Sequence, residues 1–530
     1  MKSQTNLYLI VVGAFLLFIS GSFLSEGLSH VGIDNAVVSQ RMAEGFEDFW
    51  LPSLATPGHA DRQHYLPLGY WLESQWYKLF ADNSFMAEKV YSVLTYFILA
   101  ALMIWIWTLI GQPRQTGWLP LLCWITIPLV TWSATNNLLE STMTIFTLLS
   151  VAFLLKAGRA SFIQQTRLAL GKSTGHYKLS RTAWVVLAAL MMELAFMVKG
   201  FGGLFPIFFP FLYWLMVRRE RILFPIFTTV VILAVWLVTL SVFIFISPDI
   251  YSHLYDYLHR QLIGGLLHTQ TVQSRFYILY VLFVQGAIPL SIVVLLSLLR
   301  LKSRPFYRFM FPKRYGKGLS AIQNERSRLG WFFLVFGLSG VLPIMLGHKQ
   351  QEFYIVPMLP FFAIAMACLL YDLIEDWLLA SNRTSRRVLN AIAAVLIGAG
   401  LLLNINSIHK INSNEELLSD MRIILPYLNE GEVLSAGPDV LASPEVEEYF
   451  YRYKKVTFDS SSSHRHLLTM YGNRNNAGIM ASYQIMNLPT KLYHLFEQKP
   501  PVVIDTLSLA DSLAFVDSAD YESFDFDFDF

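Results

Sequence analysis

Long apolar runs alternate with short polar segments over roughly residues 1–404 of this 530-residue chain. Because a helix needs about 20 apolar residues to cross the hydrocarbon core of a bilayer, these runs predict about eleven transmembrane spans, with about thirteen as an upper bound. The predicted spans are Leu7–Leu24, Lys89–Ile110, Trp118–Trp132, Leu138–Leu155, Ala183–Val198, Phe201–Val217, Ile222–Ile246, Phe276–Leu299, Trp331–Leu346, Phe353–Tyr371 and Val388–Leu403.

The first run, Leu7–Leu24, allows a second reading as a cleaved signal peptide. Its apolar stretch is long, and no small-residue cleavage site is evident around Gly21–Ser25. We therefore predict a retained helix.

The segment between the first two spans, Ser25–Glu88, is 64 residues long, and connections of that length usually carry structure or function. Asp34 is placed to cap an amphipathic helix that ends at Gly45. A second, aromatic-rich stretch runs from His64 to Phe80. Both are typical of helices that lie along a membrane surface.

The chain changes character after Asn404. Short strand-like runs alternate there with helical or turn segments, which predicts a small α/β domain over residues 405–530. The strand-like runs are Glu432–Ala436, Val456–Phe458 and Val502–Ile504, and the helical or turn segments are Glu415–Leu428 and Leu488–Phe496. The final repeat, Asp525–Phe530, is more typical of a frayed end than of a site.

Composition supports a membrane protein. Hydrophobic residues make up 54% of the chain and charged residues 15%, whereas a soluble protein carries about 25% charge. Aromatic residues at 15% exclude a disordered chain. Cys123 and Cys368 are the two cysteines and both lie in apolar runs, which excludes a disulfide scaffold.

The net charge of +2 is the sum of a positive charge on residues 1–404 and a negative charge on residues 405–530. Residues 405–530 hold 19 acids and 9 bases, which leaves 31 bases and 19 acids for residues 1–404. Of those 31 bases, 23 fall in loops on one side of the predicted spans. Short cytoplasmic loops carry such an excess, so the N-terminus is predicted to be cytoplasmic and both the Ser25–Glu88 segment and the tail to be outside. A nucleic-acid-binding patch would not alternate with apolar spans, so no nucleic-acid partner is expected.

Eight bases of the membrane part remain for the outer side. They are Arg41, Arg62, Lys78, Lys89, Lys199, Arg260, Arg275 and Lys349. Each one alone is most simply a snorkelling or solvated charge.

Glu140 opens the fourth span and lies at the predicted outer boundary, beneath the segment that carries Asp34. Ionisable groups at membrane depth are costly and mark function by default. The alternative is an acid that stabilises a helix N-terminus. Outer acids beside outer cations are what a site for a phosphorylated lipid needs.

These residues resemble the membrane glycosyltransferases of the GT-C superfamily, especially the branch that includes the lipid A aminoarabinose transferase and the protein mannosyltransferases. The resemblance covers roughly residues 1–405. It is carried by Ile33-Asp34-Asn35, by Pro67–Leu72, by Glu140, by Lys199-Gly200 and by the segment from Lys349 to Pro360.

Two positions depart from the family pattern. Many relatives have Asp-Glu where this chain has Asp34-Asn35, and Glu-Lys-Pro where it has Tyr65-Leu66-Pro67. The family lysine that contacts the lipid phosphate is therefore replaced by Leu66. His64 is a candidate substitute, as a hydrogen-bond donor or a metal ligand.

The resemblance implies an inverting glycosyltransferase of a bacterial inner membrane that takes a sugar from a polyprenyl phosphate at the outer face. It implies Asp34 as general base, with Glu140 orienting the acceptor or the outer loop, or helping to bind a metal. The implied ligands of the lipid phosphate are Lys199, Lys349 and Tyr354, with Arg275 and His64 as further candidates. A divalent metal is left open, with Asp34, Glu140 and His64 as its candidate ligands. The acceptor is a glycan such as lipid A, another lipid or a protein.

Two other classes compete with this interpretation. A transporter or flippase of a lipid-linked saccharide would usually show internal repeats and polar groups near the membrane midplane. This chain shows no convincing repeat, and its polar groups collect at the outer boundary. A binding module on a passive anchor would need only one or two spans.

Overall fold

The structure, a computed structural model, describes residues 5–46, 49–50, 52, 66–80, 86–169, 175–217, 222–246, 250–251, 254–255, 257–264, 270–310, 317–379, 383–471 and 481–499. Three predictions fall outside these residues: the role of His64, the strand Val502–Ile504 and the terminal repeat Asp525–Phe530.

The described part of the chain is predominantly helical. Its α-helices are α1 Thr5–Phe18, α2 His30–Glu44, α3 Pro67–Leu79, α4 Met86–Leu109, α5 Trp118–Ile125, α6 Pro128–Ser133, α7 Leu139–Ala169, α8 Gly175–Lys199, α9 Phe209–Val217, α10 Leu223–Ile246, α11 Tyr277–Met310, α12 Lys317–Val341, α13 Leu359–Leu379, α14 Arg383–Ile405, α15 Glu415–Ile424, α16 Pro438–Leu441 and α17 Pro444–Lys454.

Eight helices within the described residues are long and apolar enough to cross a bilayer, which confirms a polytopic membrane protein. The other three predicted spans correspond to α1, which is shorter, and to two interrupted segments. Trp118–Trp132 is divided into α5 and α6 at Pro128, because proline lacks the N–H that would continue the helix. Phe201–Val217 begins as a 3₁₀ turn, Phe201–Phe208, before α9. The number of eleven spans stays a prediction.

Helices α1 and α14 pack closely and run in the same direction. A Cβ added at Gly13 would lie 2.8 Å from Leu396 Cβ, and one added at Gly400 would lie 2.9 Å from Leu16 Cβ. Small residues at such crossings let the backbones of membrane helices approach. Because the two helices are parallel, the start of the Ser25–Glu88 segment and the start of the tail lie at the same end of the bundle.

Helix α2 begins earlier than the sequence predicted. Ser29 is its N-cap, with its hydroxyl accepting a hydrogen bond from the Gly32 amide at 3.3 Å. The prediction that Asp34 caps the helix is therefore wrong, because Ser29 caps a helix that has already begun before Asp34. The predicted end is confirmed, since Gly45 has a left-handed backbone with φ of 82°.

A five-stranded sheet follows the bundle, in the order β2-β1-β3-β5-β4. The strands are β1 Val433–Ala436, β2 Thr457–Asp459, β3 His466–Met470, β4 Tyr483–Ile485 and β5 Tyr493–Gln498. β1 pairs in parallel with β2 and β3, whereas β5 pairs antiparallel with β3 and β4. The helical or turn prediction for Leu488–Phe496 is wrong where β5 forms. Residues 493–496 of β5 are buried one after another, so this strand lacks the alternation of buried and exposed positions that identifies a half-buried strand.

Residues 415–498, here named the C-terminal unit, share a hydrophobic core with the segment that precedes and begins α2. Leu28 and Ile33 are buried in the same cluster as Leu418 and Phe450. The backbone also connects, because the Glu26 amide donates to Lys410 O at 2.8 Å and the Asn412 amide donates to Glu26 O at 2.9 Å. The unit therefore packs against the end of the bundle over which α2 lies.

Candidate functional site

Helix α17 of the C-terminal unit runs along α2. His30 Nδ1 lies 3.4 Å from Glu445 Oε1, and Lys455 Nζ lies 3.4 Å from Glu44 Oε1 at the other end of the pair. Asp34 lies between these two contacts on α2 and is partly buried. The candidate base is therefore placed at the junction of the membrane part and the C-terminal unit.

The opposite side of α2 is joined to the turn that starts α7. The side-chain Nδ2 of Asn35 donates to Asn137 O at 2.9 Å. A glutamate at position 35 would carry only acceptors when ionised and could not make this bond. Asn35 is the position at which the chain departs from the family's Asp-Glu pattern, and its side chain bonds α2 to the turn before Glu140.

Glu73 of α3 is buried beneath α2. Ser39 Oγ donates to Glu73 Oε2 at 2.8 Å, and Asn137 Nδ2 donates to Glu73 Oε1 at 2.7 Å. Burial raises the pKa of Glu73 to about 8, with a smaller raising effect from Glu88, while both hydrogen bonds oppose the shift. The bonds fix α2, α3 and the start of α7 relative to one another.

Glu140 and Lys199 form an ion pair at this end of the bundle. Lys199 Nζ at the end of α8 lies 2.9 Å from Glu140 Oε1 in the first turn of α7. The Glu140 side chain is 2% exposed, and within the described part of the chain its Oε2 has no hydrogen-bond partner. A carboxylate with one oxygen unsatisfied and one lysine beside it is a poor choice for structure alone, since buried polar groups are normally hydrogen-bonded.

The candidate phosphate ligand Tyr354 lies beside this ion pair. Lys199 Nζ is 5.5 Å from the centroid of the Phe353 ring, and the Phe353 and Tyr354 rings are 5.2 Å apart. Both aromatics belong to a 3₁₀ turn, Glu352–Met358, that packs against α7. The structure thus brings together Glu140, Lys199 and Tyr354, which are far apart in the sequence.

Gly200 allows a further aromatic residue to approach Lys199. Its φ is +85°, and a Cβ added to it would fall 1.7 Å from Tyr257 Oη. Glycine adopts this backbone without steric cost. The Lys199-Gly200 step therefore ends α8 in a conformation that leaves room for the Tyr257 hydroxyl.

The segments of Arg275 and Lys349 are tied to each other. Gln350 Nε2 donates to Arg275 O at 2.9 Å, and the Thr271 amide donates to His348 O at 3.1 Å. Arg275 is exposed and Lys349 is partly exposed. The two cations therefore lie on segments that hydrogen bonds join, and the chain from Lys349 to Tyr354 leads from these segments to the Glu140–Lys199 pair.

The candidate metal ligands do not form a metal site among the described residues. Within those ranges no group of three or more His, Cys, Asp or Glu side chains could hold an ion. Glu140 faces an ammonium group, and His64 lies outside the described residues. Of the candidate ligands, the two that lie among the described residues, Asp34 and Glu140, do not fit a divalent cation.

One buried ion pair anchors the C-terminal unit. Arg452 of α17 reaches Glu88 at the start of α4, with its Nε 2.5 Å from Glu88 Oε1, and both side chains are almost fully buried. The guanidinium also lies 5.2 Å from the centroid of the Tyr77 ring. This pair connects the unit to α3 and α4 directly.

Sequence reasoning missed the residues of these networks. Glu73 gave a weak signal as an acid within an aromatic-rich helix, and Asn137 as one of two consecutive asparagines before Glu140. Arg452 gave none, because it is one base among many charges in an acidic tail.

The structure is that of a polytopic membrane protein. Its helices are long enough to cross a bilayer, α2 and α3 pack at one end of the bundle, and the C-terminal unit packs against that end. No protein-family profile and no curated protein sequence matches the chain. Its fold is similar to that of two solved structures of ArnT.

ArnT from Cupriavidus metallidurans bound to undecaprenyl phosphate matches with a TM-score of 0.58 and 12% identity, covering 93% of this chain and 98% of that chain. The apo structure of the same protein matches with a TM-score of 0.54 and 14% identity, covering 91% and 96%. At these identities the match shows the fold alone, and at that level it confirms the predicted resemblance.

Proposed function

We propose that this protein is a membrane glycosyltransferase that moves a sugar from a polyprenyl-phosphate donor to a hydroxyl or phosphate of an acceptor at the outer face of the membrane. The ion pair of the buried Glu140 with the partly exposed Lys199, at one end of the bundle, is the observation that carries the proposal. Ionisable groups at such a depth are expensive and are retained for function. The ArnT structure that shares the fold holds undecaprenyl phosphate, which supports the class of donor.

In the proposed reaction Asp34 is the general base. It takes the proton of the acceptor hydroxyl as that oxygen attacks the anomeric carbon, while the bond from this carbon to the phosphate oxygen breaks. The electron pair leaves with polyprenyl phosphate. A single displacement of this kind inverts the anomeric centre.

The leaving phosphate gains negative charge, which preorganised cations and hydroxyl donors stabilise. Lys199 and Tyr354 form one proposed group of ligands, and Lys349 and Arg275 the other. In the absence of donor, Glu140 holds the Lys199 ammonium in place. The proposal routes no step through a metal.

The acceptor is proposed to be a glycan such as lipid A, another lipid or a protein, and the location a bacterial inner membrane with the N-terminus in the cytoplasm. Cells that lack the protein are expected to accumulate one polyprenyl-linked sugar, because its consumption stops. Mass spectrometry of extracted lipids would identify that sugar. An unchanged set of polyprenyl-linked sugars would contradict the proposal.

A Lys199→Met variant is expected to raise the KM for the donor about 10- to 150-fold, which corresponds to the loss of one charge-assisted hydrogen bond of about 1.5–3 kcal/mol. Its control is the double variant Glu140→Gln/Lys199→Met, which removes the carboxylate left unpaired by the first change. If Lys199 only neutralises Glu140, the double variant will regain wild-type KM. The proposal expects the double variant to regain stability but not donor affinity.

A further inference from the structure

A lysine and three aromatic rings form a cluster at the end of the bundle opposite to the Glu140–Lys199 pair. Lys156 follows Glu140 by 16 residues of α7, which places it about 24 Å further along the axis, since an α-helix rises about 1.5 Å per residue. Trp184 precedes Lys199 by 15 residues of α8 and therefore lies at nearly the same level. Because the hydrocarbon core of a bilayer is about 30 Å thick, this level is close to the membrane boundary opposite Glu140.

Two indole rings hold the ammonium group of Lys156. Its Nζ lies 4.9 Å from the centroid of the Trp105 ring on α4 and 4.2 Å from that of the Trp184 ring on α8. The Phe153 ring on α7 lies 6.0 Å from the Trp105 ring and 5.5 Å from the Trp184 ring. The stem of a lysine is flexible, so these cation–π contacts fix the position of a charge that would otherwise move.

The charge of Lys156 has no acidic counterpart. No acid among the described residues forms an ion pair with it. The sequence from Lys156 to Arg181 contains six bases and no acid. An aromatic ring attracts a cation but does not neutralise it. The cluster therefore presents an uncompensated positive charge close to the level at which lipid headgroups begin.

An apolar groove, here named the α7 groove, runs from Lys156 toward the middle of the bundle. Its floor is the partly exposed face of α7 that carries Leu149, Phe153 and Lys156, which are spaced by four and three residues. Its walls are α4 and α8, which both pack against α7 and expose Ile98 and Leu187. The groove thus has a fixed cation at the membrane boundary and an apolar surface deeper in the bilayer, which is the order of a headgroup and an acyl chain.

The geometry points to the α7 groove as a binding site for an anionic phospholipid, with the lipid phosphate at Lys156 and an acyl chain along α7. Lysine binds phosphate as a point charge, and basic pockets between membrane helices bind anionic headgroups. A zwitterionic lipid carries its own cation beside the phosphate and gains less from an uncompensated lysine.

The competing interpretation of Lys156 is a lysine that extends to water without a preference for any lipid. The two differ in what they predict for headgroup selectivity. The site lies in the leaflet opposite the proposed transferase site, which the sequence predicts to be the inner one. It uses none of the residues of the proposed reaction, so the inference does not rest on the proposed function.

Native mass spectrometry of the full-length protein in detergent tests the inference with phosphatidylglycerol and phosphatidylcholine that have the same acyl chains. We expect the first phosphatidylglycerol to bind about fivefold more tightly than the first phosphatidylcholine, a factor typical of one lysine near an anionic surface. Lys156→Gln should remove that preference. Lys156→Arg, which keeps the charge, should retain it.

Lys410→Gln is the matched control, because Lys410 is an exposed lysine beyond the end of α14, at the other end of the bundle. It should leave the preference unchanged, and a melting curve for each variant confirms that the protein is folded. Equal affinities of the two lipids for the wild type would overturn the inference. A folded Lys156→Gln protein that keeps the preference, or an equal loss in Lys410→Gln, would do the same.

A photoreactive phosphatidylglycerol tests the position of the lipid without any variant. With a diazirine near the middle of one acyl chain, it should label peptides of α4, α7 or α8 that line the α7 groove. Unlabelled phosphatidylglycerol should suppress this labelling at concentrations at which phosphatidylcholine does not. Labelling confined to other helices, or equal suppression by both lipids, would contradict the proposed site.

Discussion

Asp34→Asn is expected to lower kcat about 100- to 10,000-fold, the range that a positioned general base contributes. Asparagine keeps the shape of the side chain but cannot accept the acceptor's proton. Because Asp34 lies within α2 and is not its N-cap, the substitution should leave the helix start at Ser29 unaffected. Initial rates of sugar transfer by purified protein measure the effect.

Glu430→Gln serves as the control, since it removes one negative charge from an exposed position of the C-terminal unit. It should leave kcat within about twofold of wild type, because exposed ion pairs contribute little. A folded Asp34→Asn protein that transfers sugar at the wild-type rate would show that Asp34 is not the base.

Arg452→Met is expected to lower the free energy of unfolding by about 3–5 kcal/mol. The change leaves Glu88, which is 1% exposed, without its cation in a buried setting. Methionine fills a similar volume, so the loss comes mainly from the unpaired carboxylate. Denaturant unfolding in detergent, followed by circular dichroism, measures the difference.

The matched control for Arg452 is Arg465→Met. Arg465 pairs with Glu497 at 2.9 Å in the same unit, but its side chain is 66% exposed. An exposed pair contributes about 0–1 kcal/mol, so this variant should remain near wild type. The double variant Glu88→Gln/Arg452→Met should regain much of the loss. Equal effects of the two single variants would contradict a special role for the buried pair.

The elements of the membrane part were predictable because a bilayer imposes a length and a hydrophobicity on each span. Placement at one end of the bundle was predictable in the same way for Glu140 and Lys199, which stand at the ends of predicted spans. Their contact was not, because a hydrophobic pattern reports the depth of a residue and says little about which neighbouring helix it faces.

The networks beneath α2 were less accessible to sequence reasoning. Asn137 has a φ of 51°, a left-handed conformation that asparagine tolerates better than most residues, and this places its amide against Glu73. Nothing in the sequence pairs position 137 with position 73. The same holds for Arg452, whose partner Glu88 lies 364 positions earlier in the chain.

We propose above that the site at the end of the bundle breaks the bond between a sugar and a polyprenyl phosphate. The most direct measurement incubates the purified protein in detergent with a radiolabelled polyprenyl-phosphate sugar and envelope lipids, and follows the label and the released polyprenyl phosphate. We expect the label to move to an acceptor with an inverted anomeric centre, at a rate that Asp34→Asn reduces at least about 100-fold. An intact donor in detergent, together with protein-dependent movement of the same lipid across liposome membranes, would contradict it and identify a flippase.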